Sequence, residues 1–334
     1  MRALRFLTIA TFAVVLPVGA QSAPKHPLAI LTGELTPADL AAVERGEVIV
    51  QDLPTRERRD VAVIGVIHVA RPRAEIVRMA RATGGAAIGA AHGFRHQVET
   101  AETVDDLASL RLSQDDLKGL AKCKQDACNM KLALADMAAL RSIVTSATPD
   151  AGVRAEEYLR RRLADQVASY HRAGNAGLTV YNDRGSVAAG RAFEALVEDS
   201  CRLAPAAPEL THFLLDYPRA EVPGESSVIY WALDSLPRTH PTIRIMHEVT
   251  YTPAHDAGTT IVASKQLYAN HYFEAGLEVL AAADDSVAGG TTVVILRHYR
   301  FDQLPHFAFI DLRGRVVDRL KDAVEKDLEK LKEH

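Results

Sequence analysis

Thr242-Ile-Arg-Ile-Met-His-Glu-Val-Thr-Tyr251 alternates its apolar side chains with Arg, Met, Glu and Thr at every second position. This period of two predicts a half-buried β-strand, because successive side chains point to opposite faces of a sheet. Three further stretches rich in β-forming residues follow, at 259–269, 271–283 and 291–301. Short turns separate the four segments, which together predict a meander of antiparallel strands.

The chain ends in a segment whose apolar residues recur at three- and four-residue steps. These residues are Phe309, Leu312, Val316, Leu320, Ala323, Val324, Leu328 and Leu331. The spacing predicts an amphipathic helix of roughly seven turns after Pro305. Its apolar stripe needs a covering surface, and the meander is the nearest one.

Two more strands are predicted before the meander, at 47–53 and 59–69, followed by a helix that opens at Pro72. The helix at 35–46 has a cap at Thr36 and a stop at Gly46. Between the two sets of strands the pattern is helical, at 113–121, 134–144, 153–173, 187–201, 208–215 and 226–236. We expect one antiparallel sheet that is interrupted by a helical insertion, and the alternative is two independent α+β domains.

This order of elements resembles the START-related superfamily of lipid-transfer and polyketide-cyclase-like proteins, also called SRPBCC or helix-grip proteins. Val262-Ala-Ser-Lys-Gln-Leu-Tyr-Ala-Asn-His-Tyr-Phe-Glu-Ala-Gly276 is also similar to a stretch in uncharacterised exported bacterial proteins. The resemblance implies an α+β fold in which a curved antiparallel sheet grips the long C-terminal helix, with a cavity for an apolar or amphipathic ligand between them. The predicted divisions are a signal peptide, the first part of the helix-grip domain, an all-helical insertion and the second part, at 1–20, 21–102, 103–240 and 241–334.

The first twenty residues have the composition of a secretory signal peptide. Arg2 and Arg5 precede an apolar run at 6–18, and Val18-Gly19-Ala20 offers small residues for cleavage. A buried N-terminal helix is the alternative. No later run approaches the roughly 20 apolar residues that cross a bilayer. We therefore expect a periplasmic or secreted protein without a transmembrane segment after cleavage.

Cys123 and Cys128 are spaced for a local disulfide in an oxidising compartment, with Cys201 left as a free thiol. Half of a metal site is the alternative for the pair, but it would need a second pair of ligands. The 39 basic and 43 acidic residues nearly balance, which argues against a nucleic-acid partner.

Polar residues mixed with apolar ones on the strands at 259–269 and 291–301 are typical of a cavity wall. We predict that Gln266, Tyr268, His271 and Arg297 orient the polar end of a ligand. The other predicted ligand-binding residues are His247, Lys265, Phe273, Leu277, Ile295, Tyr299 and Phe309. A solvated sheet face remains the alternative for Lys265, Gln266, Tyr268 and His271. A satisfied core histidine remains the alternative for His247. Arg297, on an apolar strand face, needs either an acid or a ligand head group.

No cofactor or metal is predicted. His92 and His96 have the spacing of two helical metal ligands, but Gly93 argues against a helix there. The glycines at 84–89 follow a helix rather than a strand, unlike a dinucleotide-binding fingerprint.

The favoured hypothesis is an exported protein that binds a lipid or other hydrophobic small molecule between sheet and C-terminal helix. One alternative is a cyclase- or hydrolase-like enzyme with His271 or His247 as general base. Another is a cell-envelope interaction module that binds a protein partner through the insertion.

Overall fold

The structure of the chain, a computed structural model, describes residues 28, 31–33, 35–82, 101, 103–200, 202–221, 226–234, 240–304 and 311–332. The predicted signal peptide at 1–20, the histidines His92 and His96, the thiol of Cys201 and the predicted ligand-binding residue Phe309 all lie outside these ranges.

Seven strands build the main sheet of the described chain. They are β1 (Ile49–Leu53), β2 (Asp60–Val69), β5 (Ser227–Asp234), β6 (Thr242–Tyr251), β7 (Thr259–Ala269), β8 (Phe273–Asp284) and β9 (Thr291–Phe301). Their spatial order is β1-β2-β9-β8-β7-β6-β5, and every neighbouring pair is antiparallel. The early strands join the meander because β2 pairs with β9, from Asp60 opposite Arg300 to Val69 opposite Thr291. The prediction of a single sheet drawn from both ends of the chain is confirmed.

One predicted helix is wrong. The stretch at 226–236 contains strand β5, which pairs with β6 along its whole length. Its Val-Ile-Tyr-Trp run has the side chains that strands favour, and β6 offers it a sheet edge that would otherwise be exposed. A short hairpin of β3 (Val180–Tyr181) and β4 (Val187–Ala188) also lies inside the predicted insertion. The segment at 103–240 is therefore not all helical.

Nine α-helices lie wholly within the described ranges. They are α1 (Pro37–Glu44), α2 (Arg73–Ala82), α3 (Gln114–Leu120), α4 (Leu134–Val144), α5 (Ala151–Ala173), α6 (Ala189–Asp199), α7 (Leu203–Ala206), α8 (Pro208–Asp216) and α9 (Leu312–Glu329). The predicted cap is confirmed, because Thr36 accepts a hydrogen bond from the backbone N–H of Asp39. Gly46 ends this turn with a φ of 79°, which glycine adopts without strain.

The two faces of the sheet are covered by different parts of the chain. One face, which we call the α9 face, packs against α9 and α2 through a core that includes Ile67, Ile76, Val324 and Leu328. The opposite face packs against α6, α7 and α8 and, at its other end, against the helices α3 to α5. Strand β6 is consequently buried along both faces, so the prediction of a half-buried strand is wrong.

Helix α9 contacts the sheet directly. It has 18 residues, about five turns, against the roughly seven predicted. Gly65 on β2 leaves room for it, because a Cβ at this position would overlap the side chains of Val324 and Leu328. The predicted hollow between helix and sheet therefore does not extend over β2.

Two features of the described chain relate to the predicted export. The sulfur atoms of Cys123 and Cys128 lie at disulfide distance, with Cα atoms 4.4 Å apart. None of the helices in the ranges given above is long and apolar enough to cross a membrane.

Candidate functional site

A row of polar side chains crosses four strands on the α9 face. Glu248, Ser264, Glu278 and Arg297 lie directly opposite one another on β6, β7, β8 and β9. All four are buried, and so are two polar neighbours on the same face. We call these six residues the polar band: Arg244, Glu248, Ser264, Gln266, Glu278 and Arg297. A sheet interior seldom contains so many polar groups, because each must be desolvated.

Both arginines of the band are paired with carboxylates. Arg297 forms an ion pair with Asp327 of α9. Arg244 Nη1 donates to Glu278 Oε1 at 2.7 Å and to Asp234 Oδ2 at 3.1 Å. Burial opposes the charged form of each arginine, but the nearby acids outweigh it and raise the pKa of both guanidinium groups. Both arginines therefore remain charged inside the protein.

Two aromatic rings lie against Arg244. The guanidinium carbon is 5.6 Å from the ring centre of Phe273 and 5.3 Å from that of Tyr299. Tyr299 OH also donates to Glu278 Oε1 at 2.7 Å. Gly276 faces Tyr299 across the strand pair, and a Cβ at Gly276 would lie 2.9 Å from the ring. The absence of a side chain at Gly276 is what lets the ring lie here.

Several polar atoms of this region have no hydrogen-bonding partner among the described residues. The donors are Nε and Nη2 of Arg244 and Nε of Arg297, and the acceptor is Oε1 of Gln266. The hydroxyl groups of Ser264 and Thr250 also lack a hydrogen-bonding partner among the described residues. Such buried groups are rare in native proteins because each costs about 1–3 kcal/mol. Their concentration on one face marks the band as a candidate binding site.

Apolar side chains border the band on the same face. Val262, Leu280 and Ile295 form the next row along β7, β8 and β9, where they join the core under α2 and α9. Tyr230 and Met246 form a second apolar group on β5 and β6. Polar groups with apolar flanks suit a molecule that has one polar end.

The structure divides the predicted ligand-binding residues between the two faces. Five lie on the α9 face, in or beside the band: Gln266, Phe273, Ile295, Arg297 and Tyr299. Four lie on the opposite face: His247, Lys265, Tyr268 and Leu277. His271 follows β7 and contacts the loop after α3. The structure therefore does not bring all of the predicted residues to one face of the sheet.

Two irregularities in strand pairing explain the division. Ile245 pairs with Tyr268 and Met246 pairs with Gln266, so Leu267 is an extra residue on β7. A β-bulge of this kind reverses the alternation of side chains, and it sends Tyr268 away from the face of Gln266. A second shift, at Glu274 on β8, separates Phe273 from Leu277 in the same way.

Lys265 lies on the opposite face and is completely buried. Its Nζ donates to Asn175 Oδ1 at 2.5 Å and to the carbonyl of Leu214 at 2.7 Å. The rings of Tyr170 and Phe193 lie within 4.9 Å and 4.5 Å of the same atom. Burial lowers the pKa of Lys265 to about 7. The alternative of a solvated Lys265 is therefore wrong, and its local partners account for its position.

His247 has a hydrogen-bonding partner at each ring nitrogen. Tyr170 OH lies 2.9 Å from Nδ1, and Ser227 Oγ lies 2.6 Å from Nε2. Burial, with a smaller contribution from the charge of Lys265, lowers the pKa of His247 to about 3. The imidazole is therefore neutral near pH 7 and binds a proton poorly, as expected of a satisfied core histidine.

His271 is held between two acceptors. Its Nδ1 donates to the carbonyl of Asn129 at 2.8 Å, and its Nε2 contacts Asp116 Oδ1 at 2.8 Å. Burial opposes the ionised carboxyl, but the hydrogen bond from His271 outweighs it and lowers the pKa of Asp116. The pair fixes the turn between β7 and β8 to the start of α3.

The cavity beside Tyr268 is small. Its volume is about 20 Å³, and it is lined by residues of α4 and α5, including Gln166, together with Lys131. This volume matches about one water molecule, so it does not accommodate a lipid. A larger groove of about 500 Å³ lies between the edge strand β1 and α9, but it is open and bordered by Asp318, Asp322 and Glu325. Neither depression suits an apolar ligand.

A half-buried β6, as the alternation predicts, would place Arg244 and Glu248 on a solvated face. Arg244 and Glu248 alternate with apolar residues on β6, as the outward side of a half-buried strand would. Asp327 was the available signal, since it lies between Val324 and Leu328 on the apolar stripe of α9. An acid on such a stripe predicts a basic partner on the covering sheet.

Within the same described ranges, no group of three or more His, Cys, Asp or Glu side chains could hold a metal ion. Comparison of the sequence with known proteins gives no relative from which a function could be transferred. No protein-family model matches the chain, and no curated protein is significantly similar to it.

Proposed function

We propose that this protein binds a lipid or another amphipathic small molecule on the α9 face, with the polar end of the ligand at the polar band. The observation that carries the proposal is the set of buried polar atoms without partners on Arg244, Ser264, Gln266 and Arg297. A ligand that supplies these hydrogen bonds would recover the free energy that their burial costs.

The ligand's apolar part would lie along the border of the band. Val262, Leu280 and Ile295 present an apolar surface there, and Met246 extends it toward β5. In this proposal the sheet curves around α9 in a helix-grip arrangement, and the segment at 103–221, which precedes β5, is inserted between its two halves. The chain acts outside the cytoplasm, in line with its N-terminal sequence and the Cys123–Cys128 pair. A protein partner for the inserted segment remains a separate proposal.

Catalysis is less well supported than binding. His247 is neutral and buried, with Ser227 and Tyr170 at its two nitrogens. His271 contacts acceptors at both of its nitrogens. A general base needs a free nitrogen within reach of a substrate proton, and neither imidazole offers one in this arrangement.

Native mass spectrometry of the protein exported to a bacterial periplasm tests the proposal. We expect a non-covalent adduct of a few hundred daltons, and saturable uptake of the neutral dye N-phenyl-1-naphthylamine by protein freed of that adduct. Gln266→Met should weaken dye binding about fivefold, which corresponds to about one hydrogen bond. Gln166→Met is the matched control, because Gln166 is buried on α5 and donates to Leu267 on the opposite side of the sheet. Protein without an adduct that also fails to take up the dye would refute the proposal.

A further inference from the structure

The two edges of the main sheet differ in what covers them. At the β5 edge, the backbone N–H of Ala101 donates to the carbonyl of Ile229 at 3.1 Å. At the other edge, the hydrogen bonds among the described residues join the backbone of β1 to β2 and to no further segment. Half of the backbone groups of an edge strand point away from its neighbour. Within the described chain, the outer backbone groups of β1 are therefore open to another strand.

An open groove lies along this free edge. Its volume is about 500 Å³, and four consecutive residues line it, from Val48 to Gln51. Successive side chains of a strand point to opposite faces of the sheet, so a depression that touches all four follows the edge rather than one face. The groove therefore lies where a further strand would pair with β1.

The wall of the groove that α9 forms is acidic. Asp318, Asp322 and Glu325 recur at four- and three-residue steps on this helix and line the groove. All three are exposed, and none of them has an ion-pair or hydrogen-bonding partner among the described residues. Lys321 also lines the groove, but its Nζ lies 4.0 Å from a carboxylate oxygen of Asp52. The three acids are therefore free to pair with a basic partner.

Alternation on β1 decides which side chains of an added strand would meet this wall. Val48 and Val50 pack on the α9 face, whereas Ile49 packs on the opposite face. Every second side chain of an added strand would likewise point toward α9, at a spacing of about 6.7 Å. Asp318 and Asp322 are about 6 Å apart along the helix axis. Basic residues at alternate positions therefore match the spacing of the acids.

We propose that the β1 edge is a docking site for another protein, which adds an extended segment with Lys or Arg at every second position. The backbone of this segment hydrogen-bonds to β1, as in other cases of recognition by strand addition. Its basic side chains pair with Asp318, Asp322 and Glu325. A second copy of this chain fits less well, because two copies joined at this edge would bring like charges together. The site is independent of the proposed amphiphile site, since β2 separates β1 from the strands that carry the polar band.

Fluorescence anisotropy with a labelled synthetic peptide, Ser-Lys-Val-Lys-Val-Lys-Ser, tests the proposal on the full chain at pH 7 and low ionic strength. We expect saturable binding, together with slower amide exchange in β1. The triple variant Asp318→Asn, Asp322→Asn, Glu325→Gln should bind the peptide about tenfold more weakly, because three exposed charge pairs are lost.

A second triple variant controls for the change in total charge. It removes three exposed acids that lie far from the groove in sequence, by the changes Asp115→Asn, Glu157→Gln and Glu198→Gln. We expect it to bind the peptide as the wild type does. Equal affinities of the wild type and of the groove variant, or an equal loss in both triple variants, would overturn the role of the three acids on α9.

A modified peptide separates strand addition from attraction between charges. The same peptide N-methylated at its central residues keeps its charge but loses its backbone donors, so it should bind about tenfold more weakly or not at all. Equal binding of the two peptides would overturn strand addition. Absence of saturable binding by the parent peptide would refute the docking site. A dimer in sedimentation velocity that the peptide does not dissociate would also refute it, because a second copy would then occupy the edge.

Discussion

Asp327 of α9 is the carboxylate partner of Arg297 of β9, and both side chains are buried. The pair joins the C-terminal helix to one end of the polar band. Val324, one helical turn before Asp327, and Leu328, the residue after it, pack on β2. Burying an ion pair gives little net stability compared with apolar residues of the same size. Its position beside the band indicates that it fixes α9 over the site rather than that it stabilises the fold.

Asp327→Asn should destabilise the protein by about 3 kcal/mol, because it leaves the Arg297 guanidinium buried without its countercharge. The double variant Arg297→Met, Asp327→Leu should lose less free energy of unfolding than Asp327→Asn, because it removes both charges. Urea denaturation followed by circular dichroism measures both effects. Asp322→Asn, at an exposed position on the same helix, should change the free energy of unfolding by no more than about 0.5 kcal/mol. If Asp327→Asn were as stable as Asp322→Asn, the ion pair of Arg297 with Asp327 would not contribute to stability.

Gly65→Ala should loosen α9 from the sheet. The added Cβ would lie 2.7 Å from Leu328 Cδ1 and would overlap Val324 as well. Overpacking of this kind costs about 1–3 kcal/mol. Thermal unfolding should show the loss, and a second change, Val324→Ala, should restore part of it by removing the overlap with Val324. Gly152→Ala, in the first turn of α5, should be neutral or slightly stabilising. An unchanged melting temperature in Gly65→Ala would contradict the close contact of α9 with β2.

Removing the Cys123–Cys128 pair by a double change to alanine should cost about 2 kcal/mol, as expected for closure of a short loop. The same loop leads to Asn129 and Lys131, whose backbone groups bond to His271 and Asn270. Amide exchange near His271 should therefore increase with the loss of stability. Urea denaturation with and without a reductant provides the control, because a reductant should destabilise the wild type and leave the variant unchanged. If the reductant changed the stability of the wild type and of the double alanine variant equally, no disulfide would form between Cys123 and Cys128.

The elements were more predictable from the sequence than the site was. The periods of two and of 3.6 residues reveal the meander and α9, because each strand or helix buries a side chain at every repeat. Alternation along β7 and β8 does not place Tyr268 and Phe273 on their actual faces, because Leu267 and Glu274 are extra residues in the pairing. Such bulges depend on pairing with a neighbouring strand, and alternation within one strand does not reveal them. The stretch at 226–236 was predicted as a helix for a related reason. It forms strand β5 because it pairs with the edge of β6, and this pairing is not visible in the sequence of the stretch itself.

The stability of the protein should depend on Lys265 between pH 7 and 10. Burial lowers the pKa of this lysine from its ordinary 10.5 to about 7. In this range the unfolded chain holds a proton on Lys265 that the folded protein has released, so the free energy of unfolding rises with pH. Relative to Lys265→Met, the wild type should therefore gain stability as the pH is raised from about 7 to 10. Lys118→Met, at a well-exposed position, should leave the pH profile of the wild type unchanged. If the stability of Lys265→Met changed with pH in parallel with that of the wild type, the pKa of Lys265 would not be lowered in the folded protein.

Gly276→Ala should weaken ligand binding more than it weakens the fold. The new Cβ would lie 2.9 Å from the ring of Tyr299 and 3.2 Å from Gln266 Oε1, so the ring and the amide must move apart within the band. We expect the dissociation constant for N-phenyl-1-naphthylamine to rise about tenfold, with a stability loss of about 1–2 kcal/mol.

Gly65→Ala is the matched comparison for this variant, because it makes the same change on the same face but its Cβ meets α9 instead of the band. Dye titration at a temperature where both variants are fully folded separates the two positions. A rise in the dissociation constant for Gly276→Ala alone places the ligand above β7 and β8, next to Arg244 and Gln266. An equal rise in both variants would mean that binding follows the general stability of the α9 face, and the band would then lose its assigned role.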